Sequence, residues 1–343
     1  MSTLVQRNQS DFSAYVLMAV TVIIWGSTWP LGRSLFTEEN VASTPPLIIA
    51  TIRYYIVVPV FLIVLRLREK SFHIDFLKRH WKELLIMGFI SVTIYQFGYL
   101  YGVKNTTGSD SSLVISTSPI WVLLITTIFF KYKLTLRKVF GVFLGFFGVF
   151  LVSFFLENEE MPTRLLGNGL VLMAAVAYAS YTVILKQMML KYQNNQSKPS
   201  SLTIVTWVSV LGLITLIPVN YLISPEFLSI NPYFDISPWV WFGILYLAFL
   251  STIFAYLTYV EGVNRLDANR AVIFVNFIPL IGIVLSGLFL GEKIDIVIHS
   301  ISLILILSGV TLVNKKSNNN SSSMGQDDKR EEIERKNVEY SSK

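Results

Sequence analysis

Ten apolar runs divide this chain, each near the roughly 20 residues that cross a hydrocarbon core as a helix, and they leave it few other ways to fold. They are Ala14–Leu35, Leu47–Leu67, Leu84–Val103, Ser111–Phe130, Val139–Leu156, Gly169–Met189, Leu202–Ile223, Val240–Gly262, Ala268–Leu290 and Ile294–Val313. The runs are unbroken instead of alternating with period two, which makes them helices and not barrel strands. Hydrophobic residues are 53% of the 343 and charged residues 15%, more apolar surface than a soluble domain hides. The expected fold class is therefore an all-α integral membrane protein with ten transmembrane helices, and the lipid bilayer is its first partner. Arg7 and the apolar run Tyr15–Ile24 have the look of a signal peptide. No small-residue cleavage site follows, and Trp25-Gly26-Ser27-Thr28-Trp29-Pro30 continues the membrane character, so the stretch counts as a span.

The net charge of +6 lies mostly between the runs, where it reports orientation and gives no reason to expect nucleic acid. The second loop carries Arg66, Arg68, Lys70, Lys78, Arg79 and Lys82. The fourth carries Lys131, Lys133, Arg137 and Lys138, and the sixth Lys191 and Lys198. Odd loops are poorer, with Glu38-Glu39, then Glu157, Glu159, Glu160 and a single Arg164, then Glu226 and Asp235. Even loops and both termini are thus expected in the cytoplasm, with Lys315 and Lys316 in agreement, and the cell membrane is the expected location. There is no cysteine, which excludes disulfides, iron–sulfur clusters and thiolate metal sites.

The chain also repeats itself. With a shift of 160 residues, Tyr99, Gly102-Val103, Pro119, Phe129 and Lys133 fall on Tyr259, Gly262-Val263, Pro279, Phe289 and Lys293 without a gap. This register predicts two five-helix repeats, 14–156 and 169–313, joined by an extracytoplasmic linker 157–168 and flanked by a cytoplasmic segment 1–13. The Asn/Ser-rich and then charged tail 314–343 cannot bury a core and is expected to be disordered. An odd number of spans makes the second copy enter from the opposite face. Inverted repeats give a carrier two related gates around one midplane site.

The ordered set of motifs resembles the EamA-type carriers of the drug/metabolite transporter superfamily. It comprises Trp25-Gly26-Ser27 in the first helix, Arg53-Tyr54 in the second, Pro119 and Pro279, Gly291-Glu292, and the glycines Gly141, Gly145, Gly148 and Gly309. Tyr178-Ala179-Ser180 echoes the first motif in the second repeat. The resemblance runs from about Ala14 to Val313 and implies ten helices in two five-helix repeats, with export or exchange of small metabolites. One position departs from it. The family's Gly-Glu pair closing helix four would fall on Lys131-Tyr132, so that carboxylate survives only as Glu292.

Charges inside a span are costly and point to function. Arg53, followed by Tyr54-Tyr55, either faces an interior cavity and holds a carboxylate or phosphate, or bonds to carbonyls and snorkels outward. Arg33, Lys186 and Glu261 lie near span ends, where snorkelling suffices. His299 has no obvious carboxylate near it and reads as a packing residue. No Asp or Glu falls near the centre of an expected span, so proton antiport lacks an obvious carrier residue and facilitated export or exchange is favoured. Ser109, Ser112 and Ser116 share a helical stripe with Pro119, and Asn269, Asn276 and Pro279 are their counterparts. They line a cavity or glue helices together. Pro119 and Pro279 are the candidate gate or hinge positions. Trp25, Ser27, Tyr95, Tyr99, Tyr178 and Tyr256, with Gln96 and Tyr259, suit the enclosure of an amphipathic ligand, whereas Trp81, Trp239 and Trp241 suit an interfacial belt.

The candidate substrate-binding set is therefore Trp25, Ser27, Arg53, Tyr95, Tyr99, Ser116, Tyr178, Tyr256 and Asn276, with no catalytic residue and no cofactor expected. Arg53, Trp25, Ser116 and Asn276 are expected to face one central cavity. His73, His80 and His299 offer no metal-ligand spacing, which argues against a membrane enzyme. Nothing marks the pore rings of a channel. A secondary carrier for a small organic metabolite, amino-acid-like or similar, is the expectation, with export as its direction. A nucleotide-sugar or organophosphate exchanger is the alternative, and it would favour more than one embedded cation. Gly141-x-x-x-Gly145 permits close packing within a monomer or across a homodimer.

Overall fold

In a computed structural model of the protein, the described residues are 2–37, 44–131, 134–155, 162–192, 199–225, 236–266 and 274–314, with side chains described from Phe12 onward except that of residue 264. Tyr132, Lys133, Ala268, Asn269 and the tail beyond Asn314 lie outside them. Among the described residues there is no strand, and nine helices are long and apolar enough to cross a membrane: α1 (Ser2–Ser34), α2 (Pro46–Glu69), α3 (Ile74–Asn105), α4 (Gly108–Phe130), α5 (Leu136–Phe154), α6 (Arg164–Lys191), α7 (Ser201–Ile223), α8 (Pro238–Val263) and α10 (Ile296–Asn314). A shorter apolar helix, α9 (Ile278–Leu290), stands in the ninth expected span.

Two boundaries differ from expectation in a way that matters. α3 starts earlier than Leu84, on the amphipathic turn after His73, because Phe76, Leu84 and Met87 pack on Trp207 and Val208 of α7. α6 starts at Arg164, which is buried and not a loop charge.

The duplication is visible in the helices themselves. With the 160-residue register, the last part of α3 (Tyr95–Asn105) recurs as Ala255–Arg265 in α8, the second half of α4 (Ser118–Phe130) recurs as α9, and α5 recurs as α10. Both α3 and α8 contain wide π-type turns, at Phe89–Ile94 and Tyr246–Phe254. α4 breaks at Ser116-Thr117, and the chain breaks again at Asn276-Phe277, each time just before the proline. Pro119 and Pro279 sit in the first turn of the helix that follows, where a missing N–H costs nothing. Both of those helices end in the left-handed region, at Lys131 (φ +55°) and Gly291 (φ +62°). The position that departs from the resemblance therefore keeps the same left-handed turn as Gly291, with a lysine in place of glycine.

The packing follows the same symmetry. The opening helix of each repeat docks on the third and fourth segments of the other: α1 on α8 and α9, α6 on α3 and α4. Helices of equal rank pair with each other, α2 with α7, the start of α4 with α9, and α5 with α10. In lipid the apolar effect cannot hold helices together, so small residues and polar pairs do it. At the α5–α10 seam, Gly141 faces Gly309 and Gly148 faces Ser302, an antiparallel approach through glycines. A Cβ on Gly309 would meet the Gly141 carbonyl oxygen at 2.5 Å. Gly309→Leu is expected to lower the thermal unfolding midpoint in detergent, a loss of about 1–3 kcal/mol from overpacking. An unchanged midpoint would remove this seam from the account.

Candidate functional site

Arg53 lies in α2, is only 7% exposed, and points toward the π-type turns of α8. Those turns matter locally: the Thr252 hydroxyl donates to the Leu247 carbonyl five residues back, at 2.7 Å. The same oxygen accepts from Arg53 Nε at 3.0 Å and Nη2 at 2.6 Å. Arg53 Nη1 donates to Gln96 Oε1 of α3 at 3.4 Å, and the guanidinium lies 6.0 Å from the Tyr54 ring. Among the described residues no carboxylate pairs with Arg53. The cation is thus held by neutral groups from both repeats, Gln96 from one and Thr252 from the other.

α1 closes the same region along a polar stripe facing α8. Trp25 Nε1 donates to the Ser251 carbonyl at 3.1 Å, the Thr28 and Ser251 hydroxyls are 3.0 Å apart, and the Ser27 hydroxyl meets the Tyr246 hydroxyl at 2.6 Å. Lower down, Thr21 meets Thr258 at 2.8 Å. Aromatic rings continue the wall: Trp25 to Tyr259 at 5.1 Å, Tyr95 to Tyr99 at 6.3 Å, and Tyr95 to Tyr178 at 6.3 Å. Tyr178 is halfway along α6 and 46% exposed, yet Tyr95 of α3 and Tyr256 and Tyr259 of α8 surround it closely enough to interact electrostatically.

The candidate residues thus sort into three groups. Trp25, Ser27, Arg53, Tyr95 and Tyr178 converge on the π-type segment and the tyrosines around it. Tyr99 does not share their openness and is corrected to a packing residue: it is 1% exposed, its hydroxyl donates to the Thr28 carbonyl at 2.9 Å, and the Trp29 ring meets it edge-on at 5.1 Å. Tyr256 is half-buried, with its hydroxyl donating to the Ser201 carbonyl at 3.0 Å and its ring against Phe61. Ser116 and Asn276 occupy the two breaks, both half-buried. The Ser116 hydroxyl turns back to the Ser112 carbonyl at 2.7 Å, and among the described residues no hydrogen bond or ring contact ties Ser116 or Asn276 to Arg53. Pro279 is buried, and its carbonyl accepts weakly from Ser112 at 3.3 Å.

Sequence reasoning missed Thr252 and Tyr246, because a π-type turn leaves no period to read. It also did not bring Asp110 and His299 together. Asp110 sits in the first turn of α4 with no exposure, accepting from Arg164 Nε at 2.6 Å and Nη2 at 2.7 Å and from Asn168 Nδ2 at 3.1 Å. His299 of α10 has this carboxylate beside it, with Nε2 3.6 Å from Asp110 Oδ1, too far for a hydrogen bond. Its Nδ1 faces the Asp295 carbonyl at 2.9 Å. The expectation of a histidine without a carboxylate is therefore corrected: sequence separation hid a contact that crosses the repeats. The described residues contain no group of His, Asp and Glu able to hold a metal ion.

A model of the EamA-like transporter family matches residues 12–154 and again 165–315. The chain belongs to the EamA-like transporter family. It is similar to YetK, an uncharacterized transporter of Bacillus subtilis (strain 168), at 27% identity over 313 residues, covering 90% of this chain and 89% of that one. It is also similar to a probable amino-acid metabolite efflux pump of Escherichia coli (strain K12), at 21% identity over 299 residues, 86% and 92% of the two chains. A solved crystal structure shares the fold with a TM-score of 0.58 and 18% identity, covering 88% of this chain and 97% of the other. The transporter is a multi-pass membrane protein.

One prediction tests the buried charges. Arg164→Gln leaves the Asp110 carboxylate buried without its cation and is expected to cost about 3–5 kcal/mol. Adding Asp110→Asn should recover part of that loss in a double-mutant cycle read by thermal unfolding in detergent. Strict additivity of the two losses would deny the pair its coupling.

Proposed function

We infer that this transporter is a secondary carrier that exports a small organic metabolite bearing a carboxylate, amino-acid-like in size and polarity, by alternating access. The observation that carries the reading is Arg53. A buried guanidinium is expensive to keep unless something matches it. Here its partners are a hydroxyl and an amide, leaving its charge for a ligand to neutralise with short, charge-assisted bonds. Trp25, Tyr95 and Tyr178 supply ring surface for the ligand's body, and Ser27 with Tyr246 supplies hydroxyls for its remaining polar groups. The resemblance to a relative named for amino-acid metabolite efflux supports the substrate class and direction.

Among the described residues the other buried arginine, Arg164, already has a carboxylate, which leaves Arg53 as the buried guanidinium without one. That suits a monoanion better than a nucleotide sugar or organophosphate. The positive even-numbered loops support cytoplasmic termini in a cell membrane, with α1 ending at the outer face.

Proteoliposomes loaded with a labelled panel of amino acids and related carboxylates test it. At least one carboxylate should move, and Arg53→Gln should raise its half-saturating concentration by about tenfold or more, the worth of a charged hydrogen bond, while the protein stays monodisperse. Movement that is blind to Arg53, or no movement of any panel member by folded protein, would overturn the reading.

A further inference from the structure

The first turn of α4 carries a concentration of contacts that the substrate site does not use. Glu292, just past α9, places its carboxylate on the start of that helix. The Gly108 N–H donates to Oε1 at 2.7 Å, and the Ser109 N–H and hydroxyl donate to Oε2 at 3.1 and 2.8 Å. These N–H groups lack partners within their own helix, so a carboxylate from the other repeat completes them and meets the positive end of the helix dipole. One residue on, Asp110 is gripped by Arg164 and Asn168 at the start of α6 and approached by His299 at the start of α10. The preceding turn is tied as well. Thr106 donates to Asn168 Oδ1 at 2.7 Å, and Arg33 at the end of α1 donates to the Lys104 carbonyl at 2.8 Å, closing the last turn of α3, with its charge in reach of Glu292. Gly108 allows the convergence, since a Cβ there would meet Ser286 Oγ at 2.6 Å and the Pro30 backbone at 2.9 Å.

We propose that this turn is the latch of one of the carrier's two gates, and that Glu292 and Asp110 are positioning residues that hold that gate shut. The duplication gives the argument its force. In the 160-residue register Glu292 corresponds to Tyr132 and Gly108-Ser109-Asp110 to Ala268-Asn269-Arg270, so the sequence puts no carboxylate at either of the matching positions. In that register the two carboxylates belong to the Glu292 end alone. The two gates therefore differ in closing energy, and the empty carrier favours the state closed at the Glu292 face and reachable from the other. This rests on the alternating-access reading above. In the orientation given by the loop charges, the latched face is the outer one, which suits loading from the cytoplasm.

The absence of cysteine makes the test direct. A single cysteine is placed by Tyr178→Cys, at a half-exposed position beside Tyr95 of the other repeat, and a membrane-impermeant maleimide is applied to one side of sealed vesicles at a time. With Glu292 intact, labelling from the latched face should be slow. Glu292→Gln should speed it about tenfold, equivalent to about 1.4 kcal/mol moved from the closed state. Ser109→Ala, which removes one of the three bonds and leaves both backbone donors, should move it in the same direction by less, and it serves if Glu292→Gln does not fold. Unchanged labelling from that face in folded variants overturns the latch, as does a gain of equal size from both faces. Labelling reads conformation with no substrate present, so it stands or falls separately from the transport assay.

Discussion

The Asp110–Arg164 ion pair joins the fourth helix of one repeat to the opening helix of the other, with the carboxylate wholly enclosed. In a hydrocarbon setting an unmatched carboxylate of this kind would cost several kcal/mol. The geometry is set so that it never is: two bonds from the guanidinium, one from Asn168, and a backbone N–H that Thr107 takes in its place as the helix cap. Once that pair is made, α6 must lie against the start of α4. Glu292 can then reach the two N–H groups beside it, and Arg33 can close the end of α3. The end of the bundle is in this sense built outward from one charge pair.

The middle of the molecule follows a different rule. There the polar groups are neutral and shared across repeats. A π-type turn in α8 points Thr252 at Arg53 while α1 fastens itself to α8 through Thr21, Trp25, Ser27 and Thr28. Wide turns of this kind recur at functional places because they present groups that a regular helix keeps to itself. The contrast is chemically sensible for a carrier. On the reading proposed above, matched charges hold a gate, whereas an unmatched one waits for a ligand.

Much of this was legible in the sequence, and the reasons are physical. Hydrocarbon demands helices of fixed length, so the runs gave the spans, and the alignment of Pro119 with Pro279 gave the repeat because both helices must break at the same place. Arg53 stood out since cations are rare at such depth. Other features were hidden. The partnership of Asp110 with Arg164 and His299 joins residues far apart in the chain, and Arg164 looked like an ordinary loop charge at the edge of a span. Tyr99 looked like a ligand-facing ring, but a tyrosine in a helix has two ways to spend its hydroxyl, and here the Thr28 carbonyl takes it. The π-type turns left no trace, since their residues are as apolar as their neighbours.

The central claim is that two inverted and unequal gates open in alternation around Arg53. Paired spin labels on the cysteine-free chain measure this most directly, one pair at Lys104 and Lys293 on the Glu292 face, the other at Lys131 and Arg265 on the opposite face. Distances in lipid should be bimodal for both pairs, and the fraction of long distances at one face should match the fraction of short distances at the other as conditions change. Faces that widen together, or whose fractions vary independently, would contradict the account.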